Sequence, residues 1–297
     1  MSDTDSSLED LPSTTHPTPD DYPRIYLFGD SLTEWGFSGK NCGFGWRLQQ
    51  YYKNRVEVVN EGYAGQTTRS LRPRFEKYIL KKAEERGAPA PVFVTIFLGA
   101  NDACIFGDDT YVPIAEYEEH IRHYVNSILD HPATQGTKVV LISPPPIDVT
   151  PPKELSTGML DIPSVAESLR SVVAMGRGHR TWESKRKFAK KIVEIGHEFE
   201  AKTEQVALLD FWTIITKFAC QELCPGGSAD MFHELDLEDK LPGSGMPGSK
   251  EFGRKFFTDG LHLGQTAYEV LGEELLTLVL TRWPDLTKEN FPTRDLN

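Results

Sequence analysis

The sequence is short of the features that mark secreted, membrane-spanning or nucleic-acid-binding proteins. Its 297 residues hold four cysteines, Cys42, Cys104, Cys220 and Cys224, which fit free thiols in a reducing compartment. Cys220-x-x-x-Cys224 resembles half of a metal site, but no second Cys/His pair follows at ligand spacing, so no metal is expected. No basic-then-apolar leader precedes the first apolar run. No apolar stretch approaches the roughly 18–20 residues needed to span a bilayer. The C-terminal Arg294-Asp295-Leu296-Asn297 is neither a retention nor a peroxisomal signal. A cytoplasmic protein without membrane insertion is the expectation. Basic charge is also in deficit, with 32 Lys and Arg against 44 Asp and Glu and a net charge of −12. Nucleic acid and anionic membrane surfaces both demand a basic face, so neither is expected as a partner. A Gly-x-Gly-x-x-Gly after the first strand is missing, which excludes a dinucleotide-binding turn, and no serine has glycine two residues before and two after it, which excludes a nucleophile elbow of the α/β-hydrolase type.

What is present is ordinary for a globular domain, with 39% hydrophobic and 26% charged residues. Residues 1–23 carry Asp3, Asp5, Glu9, Asp10, Asp20 and Asp21 and no Lys or Arg. Rich in Ser, Thr, Pro and Asp, this tail should be disordered. Residues 24–297 read as one domain. Apolar runs at Ile25–Phe28, Val56–Asn60, Pro91–Leu98, Val139–Ile142 and Val206–Leu209 predict five strands. Between them, apolar residues recur at helical spacing. Helices are expected at Trp46–Tyr52, from a Thr67 or Thr68 cap through Ala83, over Ile114–Ile128, over Phe188–Phe199, over Phe211–Glu222 and over Gln265–Arg282. The Pro144–Arg180 connection is loop-heavy, with a short helix near 164–173. An insertion at about 220–253 shows no clear periodicity. Alternating strands and helices predict a three-layer α/β/α fold on a five-stranded parallel sheet, in the flavodoxin-like order 2-1-3-4-5.

In such a sheet the strand ends share one edge, where ligands bind. The first strand stops at Gly29-Asp30-Ser31, the second runs into Asn60-Glu61-Gly62-Tyr63-Ala64-Gly65, and the third ends in Gly99-Ala100-Asn101-Asp102. Thr258-Asp259-Gly260-Leu261-His262 feeds the last helix. A hydroxyl, two potential oxyanion donors, an imidazole and a carboxylate are the parts that acyl transfer requires. Plainer roles exist for each. Ser31 can cap the next helix, Gly65 can serve only as a left-handed turn residue, and Asn101 can be a helix N-cap. Asp30 reads as a turn residue and Asp102 as structural, while Asp259 is dispensable if the imidazole is oriented otherwise. His120 and His123, with Glu116 and Glu119, mimic a metal cluster but read as the solvated side of an amphipathic helix.

Taken in order, Gly29-Asp30-Ser31-Leu32, the Gly65 loop, Gly99-Ala100-Asn101-Asp102 and Asp259-Gly260-Leu261-His262 resemble the GDSL or SGNH hydrolase superfamily. The resemblance runs from about Arg24 to Arg282. The longer runs Ile96–Cys104 and Thr258–His262 are similar to the isoamyl acetate-hydrolysing esterase branch. It implies Ser31 as nucleophile, His262 as base, Asp259 as the acid that orients it, and Ser31, Gly65 and Asn101 as oxyanion donors. It also implies small esters, with short acyl groups, as substrates, no cofactor, and a possible homodimer. Lysophospholipase, thioesterase, carbohydrate deacetylase or acyltransferase chemistry, and a silent binding module on the same fold, are the competing expectations.

Overall fold

The computed structural model describes residues 22–85, 87–149, 179–223, 230–237 and 240–293. Residues 1–21 of the acidic tail and the helix expected near 164–173 lie outside the described residues. Strand β1 (Arg24–Gly29) is buried at every position, because β2 (Glu57–Gly62) and β3 (Phe93–Phe97) flank it on both sides. With β4 (Lys138–Ile142) and β5 (Val206–Leu209) they form a parallel five-stranded sheet in the order β2-β1-β3-β4-β5. The expected architecture is the observed one.

The first helices are α1 (Ser31–Glu34), α2 (Phe44–Tyr51) and α3 (Thr68–Phe75, continued by a π turn at Glu76–Leu80 and a last turn at Lys81–Ala83). Next come α4 (Ile114–Asp130), α5 (Trp182–Glu200) and α6 (Phe211–Leu223). The last are α7 (Asp230–Leu237) and α8 (Gln265–Arg282). Successive side chains of a strand point to opposite faces, so the sheet divides two cores. Ile25, Leu27, Phe93, Phe97 and Ile142 pack with Phe44, Phe211, Ile215 and Leu271 beneath α2, α6 and α8. Tyr26, Phe28, Val94, Ile96 and Leu141 pack with Phe75, Tyr124 and Ile192 beneath α3, α4 and α5. Each such side chain contributes about 1.5–3 kcal/mol by leaving water.

Three expectations need correction. β2 extends to Gly62, because Asn60, Glu61 and Gly62 pair with Leu27, Phe28 and Gly29 instead of opening into a loop. The insertion holds a helix, α7, of only eight residues beside a glycine-rich stretch, too short for its period to be seen. His120 is not on a solvated face: it is 7% exposed, with Nε2 3.2 Å from Glu116 Oε1. Glu116 in turn accepts two hydrogen bonds from Arg69 of α3. Glu119 of the same group is exposed, as expected, so only His120 leaves the solvated side. No helix among the described residues is long and apolar enough to cross a membrane. No group of three or more His, Cys, Asp or Glu among them could hold a metal ion.

Strand register places Gly62, Gly29, Phe97, Ile142 and Leu209 in one row across the sheet. The chain leaves each strand at or just past that row, so Ser31, the loop 63–66 and Asn101 emerge at one edge. Gly62 sits so close to α1 that a Cβ there would lie 2.2 Å from the backbone N of Glu34 and 2.7 Å from Glu34 Cα. Backbone on both sides cannot yield cheaply. We expect Gly62→Ala to lower stability by about 1–3 kcal/mol, read from the urea unfolding midpoint. An unchanged midpoint would show that the spacing between β2 and α1 is not constrained.

Candidate active site

The corner after β1 is built by Asp30. Its Oδ1 accepts the N–H of Leu32 at 2.9 Å, and its carbonyl accepts the N–H groups of Thr33 and Glu34 at 3.1 and 2.9 Å. Asp30, not Ser31, is therefore the cap of α1. Ser31 occupies the first helical position, where an N–H has no intrahelical acceptor. It is 6% exposed. The Trp35 N–H closes the turn on the Ser31 carbonyl.

His262 arrives on a closed loop. Phe257 and Leu263 form an antiparallel bridge, and Thr258 N–H donates to the His262 carbonyl at 2.9 Å. Gly260, at φ +91°, supplies the left-handed backbone that lets the loop fold back. Inside it, Asp259 Oδ1 accepts the N–H groups of Leu261 and His262 at 2.9 and 2.8 Å, while Oδ2 lies 2.6 Å from His262 Nδ1. Partial burial raises the Asp259 pKa, but the imidazole and the two amides outweigh it and hold the carboxyl below its usual value. An ionised carboxylate only accepts, so Nδ1 carries the proton and Nε2 presents its lone pair. That lone pair faces Ser31 Oγ at 3.2 Å, although the two residues are 231 positions apart.

The other expected site residues lie on the same edge. Gly65 has φ +75°, the left-handed turn conformation, with nothing within 4 Å of where a Cβ would stand. Its neighbours are anchored: Ala64 N–H donates to Glu34 Oε2 at 2.5 Å, and the Gln66 carbonyl accepts Asn101 Nδ2 at 2.7 Å. Tyr63 N–H donates to the Gly29 carbonyl at 3.0 Å. Asn101 does not cap a helix. Its amide bridges the loop 63–66 and Arg180, whose Nη2 donates to Asn101 Oδ1 at 2.7 Å.

Glu34, Trp35 and Arg180 stand in the site without having been expected there. The first two follow Ser31 at three and four positions, one helical turn, which is the signal that could have found them. Glu34 tethers the Gly65 loop. Trp35, 44% exposed, lies over the His262 ring with centroids 4.1 Å apart. Arg180 follows a long connection, and no local pattern points to it.

A profile of the GDSL-like lipase/acylhydrolase family matches residues 25–275. The chain belongs to this family. Among the relatives, a GDSL esterase/lipase of Arabidopsis thaliana is 33% identical over 193 residues, covering 64% of this chain and 70% of its own length. The isoamyl acetate-hydrolyzing esterase of Saccharomyces cerevisiae is 26% identical over 284 residues, covering 91% of each chain. The crystal structure of a lipase/acylhydrolase from Enterococcus faecalis shares the fold, with a TM-score of 0.52 and 22% identity over 88% of this chain and 96% of that one. This GDSL-family protein is accordingly a hydrolase.

Behind the edge lie buried ionisable groups. Asp30 and Asp102 are both 0% exposed, as is Lys185 of α5. Asp102 Oδ1 accepts the N–H and Oγ1–H of Thr68 at 3.0 and 2.5 Å, while its Oδ2 has no partner. Burial pushes Asp102 up to about 6 against the Thr68 hydrogen bonds, with Asp30 adding repulsion. Burial likewise raises Asp30 and lowers Lys185, each opposed by the other's charge.

A carboxyl whose pKa is higher folded than unfolded binds its proton more tightly in the native state. Stability is then full below the unfolded value of 3.8 and falls as pH rises towards about 6. Asp102→Asn removes that titration. Relative to wild type it should gain about 2 kcal/mol between pH 4 and pH 7, measured by urea unfolding at both pH values. A constant difference would show that Asp102 is charged alike in both states.

Proposed function

We propose that the protein is a carboxylic ester hydrolase acting on small esters with short acyl groups, using Ser31 as nucleophile, His262 as general base and acid, and Asp259 to orient the imidazole. The observation that carries this reading is the continuous line from Asp259 Oδ2 through His262 to Ser31 Oγ, with steps of 2.6 and 3.2 Å. Ser31 Oγ attacks the ester carbonyl carbon as its proton passes to His262 Nε2. The carbonyl π electrons move to oxygen, and the imidazolium is stabilised by the Asp259 carboxylate. Collapse of the tetrahedral adduct expels the alkoxide, which takes the proton from Nε2 and leaves an acyl group on Ser31. Water then repeats the sequence, with His262 again as base, releasing the carboxylic acid.

The oxyanion is assigned to the N–H of Ser31, the N–H of Gly65 and the second N–H of Asn101 Nδ2. Three features support this: the first-turn position of Ser31, the anchored loop around Gly65, and the Asn101 amide held at both ends. A short acyl group is favoured by likeness to the yeast acetate-ester enzyme over 91% of both chains. Exposed Trp35 beside His262 offers apolar surface to a substrate chain. Residues 24–297 would act as one catalytic domain, which we place in the cytoplasm.

The insertion bears on the catalytic loop. Asp148 N–H donates to the Gly260 carbonyl at 2.8 Å, while its Oδ2 accepts the N–H of Phe252 at 2.7 Å. Leu241 packs in one cluster with Leu261. Ser244 and Met246, from the insertion, line a cleft of about 390 Å³ with Val149, Arg180 and Trp182. We assign this cleft to the alcohol side.

The wild-type protein should hydrolyse p-nitrophenyl acetate, and Ser31→Ala should abolish hydrolysis without loss of fold. Asn101→Ala should retain the fold and lose ~10²–10³ in kcat. Hydrolysis surviving Ser31→Ala would remove this nucleophile, and full turnover by Asn101→Ala would remove that donor. Across p-nitrophenyl esters from acetyl to octanoyl, kcat/KM should fall with chain length. A maximum at octanoyl would refute the short-acyl assignment.

A further inference from the structure

Asn101 is a planar amide that must be presented one way round. Its Nδ2 faces the Gln66 carbonyl at 2.7 Å, an acceptor with no proton to give. Its Oδ1 faces Arg180 Nη2 at 2.7 Å, a donor with no lone pair to offer. Rotating the amide by half a turn would set NH₂ against guanidinium and carbonyl against carbonyl. Only the observed orientation satisfies both neighbours. In that orientation one Nδ2 proton is consumed by Gln66 and the other remains for a ligand.

Arg180 is itself fixed. Its Nε donates to the Ala100 carbonyl at 2.6 Å, so the guanidinium spans two consecutive residues of the loop after β3. Arg180 also bridges Cys104 as an isolated antiparallel pair, next to the bond from Ile105 N–H to the His179 carbonyl at 2.8 Å. On its other side Thr181 caps α5, with Thr181 and Ser184 exchanging side-chain-to-backbone hydrogen bonds. A cation at the amide oxygen also draws electron density from nitrogen, and hydrogen bonds in such a chain strengthen one another. The free Nδ2 proton becomes a better donor to a developing negative charge.

We propose that Arg180 is a positioning residue for the hydrolytic reaction, holding and polarising the Asn101 amide so that its second proton meets the oxyanion. This inference rests on the esterase reading above. Arg180 does not touch the reacting atoms in this role; it acts through Asn101.

The test is a double-mutant cycle on p-nitrophenyl acetate with Arg180→Ala, Asn101→Ala and the pair, kcat and KM being measured separately. Arg180→Met, which keeps the length of the stem without its charge, carries the cycle if the alanine variant does not fold. Loss of Arg180 should lower kcat by about 10-fold or more, up to the ~10²–10³ of a lost oxyanion donor, with the loss falling on kcat more than on KM. In the Asn101→Ala background the same substitution should cost less than about twofold, since the amide it serves is gone. A role confined to holding the loop together would slow both backgrounds by the same factor, and that result, or an undiminished kcat in the single variant, would overturn the inference. A wild-type protein without esterase activity would overturn the hydrolytic reading and the inference with it. An active wild type with an additive cycle would overturn the inference alone.

Discussion

The chemistry of this site depends on the fact that a carboxylate cannot donate a hydrogen bond. Asp259 accepts three, from its own loop's two amides and from the His262 ring. That arrangement keeps it ionised, places the ring proton on Nδ1 and leaves Nε2 bare towards Ser31. The loop is bridged by Phe257 and Leu263, which keeps Asp259 and His262 at their spacing, and Asp148 ties the loop's apex to the insertion. The imidazole of His262 is thus held by its own turn and by a segment distant in sequence.

A second constraint lies beneath Ser31. Asp30, Asp102 and Lys185 are ionisable groups withdrawn from water, with Asp30 Oδ2, Asp102 Oδ2 and Lys185 Nζ all lacking hydrogen-bond partners. Such burial is destabilising for each group taken singly. It is tolerated where the strands end, because the two acids do work there that apolar residues could not. Asp30 caps the helix that begins at Ser31, and Asp102 holds Thr68 at the start of α3. The local cost of charge is offset by the two apolar cores on either side of the sheet.

Much of this was readable from the chain. Strands buried on both faces are almost wholly apolar, as at Phe93–Phe97, and α8 runs over Gln265–Arg282 as its periodicity requires. The meeting of Ser31 and Asn101 was legible because parallel topology brings strand ends to one edge, and Asp259 and His262 could be added because their loop feeds the last helix. What escaped notice depends on contacts between distant segments. Asn60–Gly62 pairs as strand because β1 lies beside it, and His120 is buried with its Nε2 against Glu116, which Arg69 of α3 holds. Asp30 looked like a plain turn residue, since capping geometry cannot be seen in a tripeptide. Arg180 has no local signature: its meaning arises from a loop 79 positions away.

Trp35 joins two of these themes. Its N–H bonds the Ser31 carbonyl, and its indole covers the His262 ring. One short helical turn therefore holds the Ser31 hydroxyl at its beginning and a roof for the imidazole at its end. A swing of that imidazole towards solvent must slide along the indole and shed an aromatic contact. Loosening α1 would free oxygen and ring together, so drift in one partner is bound to be felt by the other.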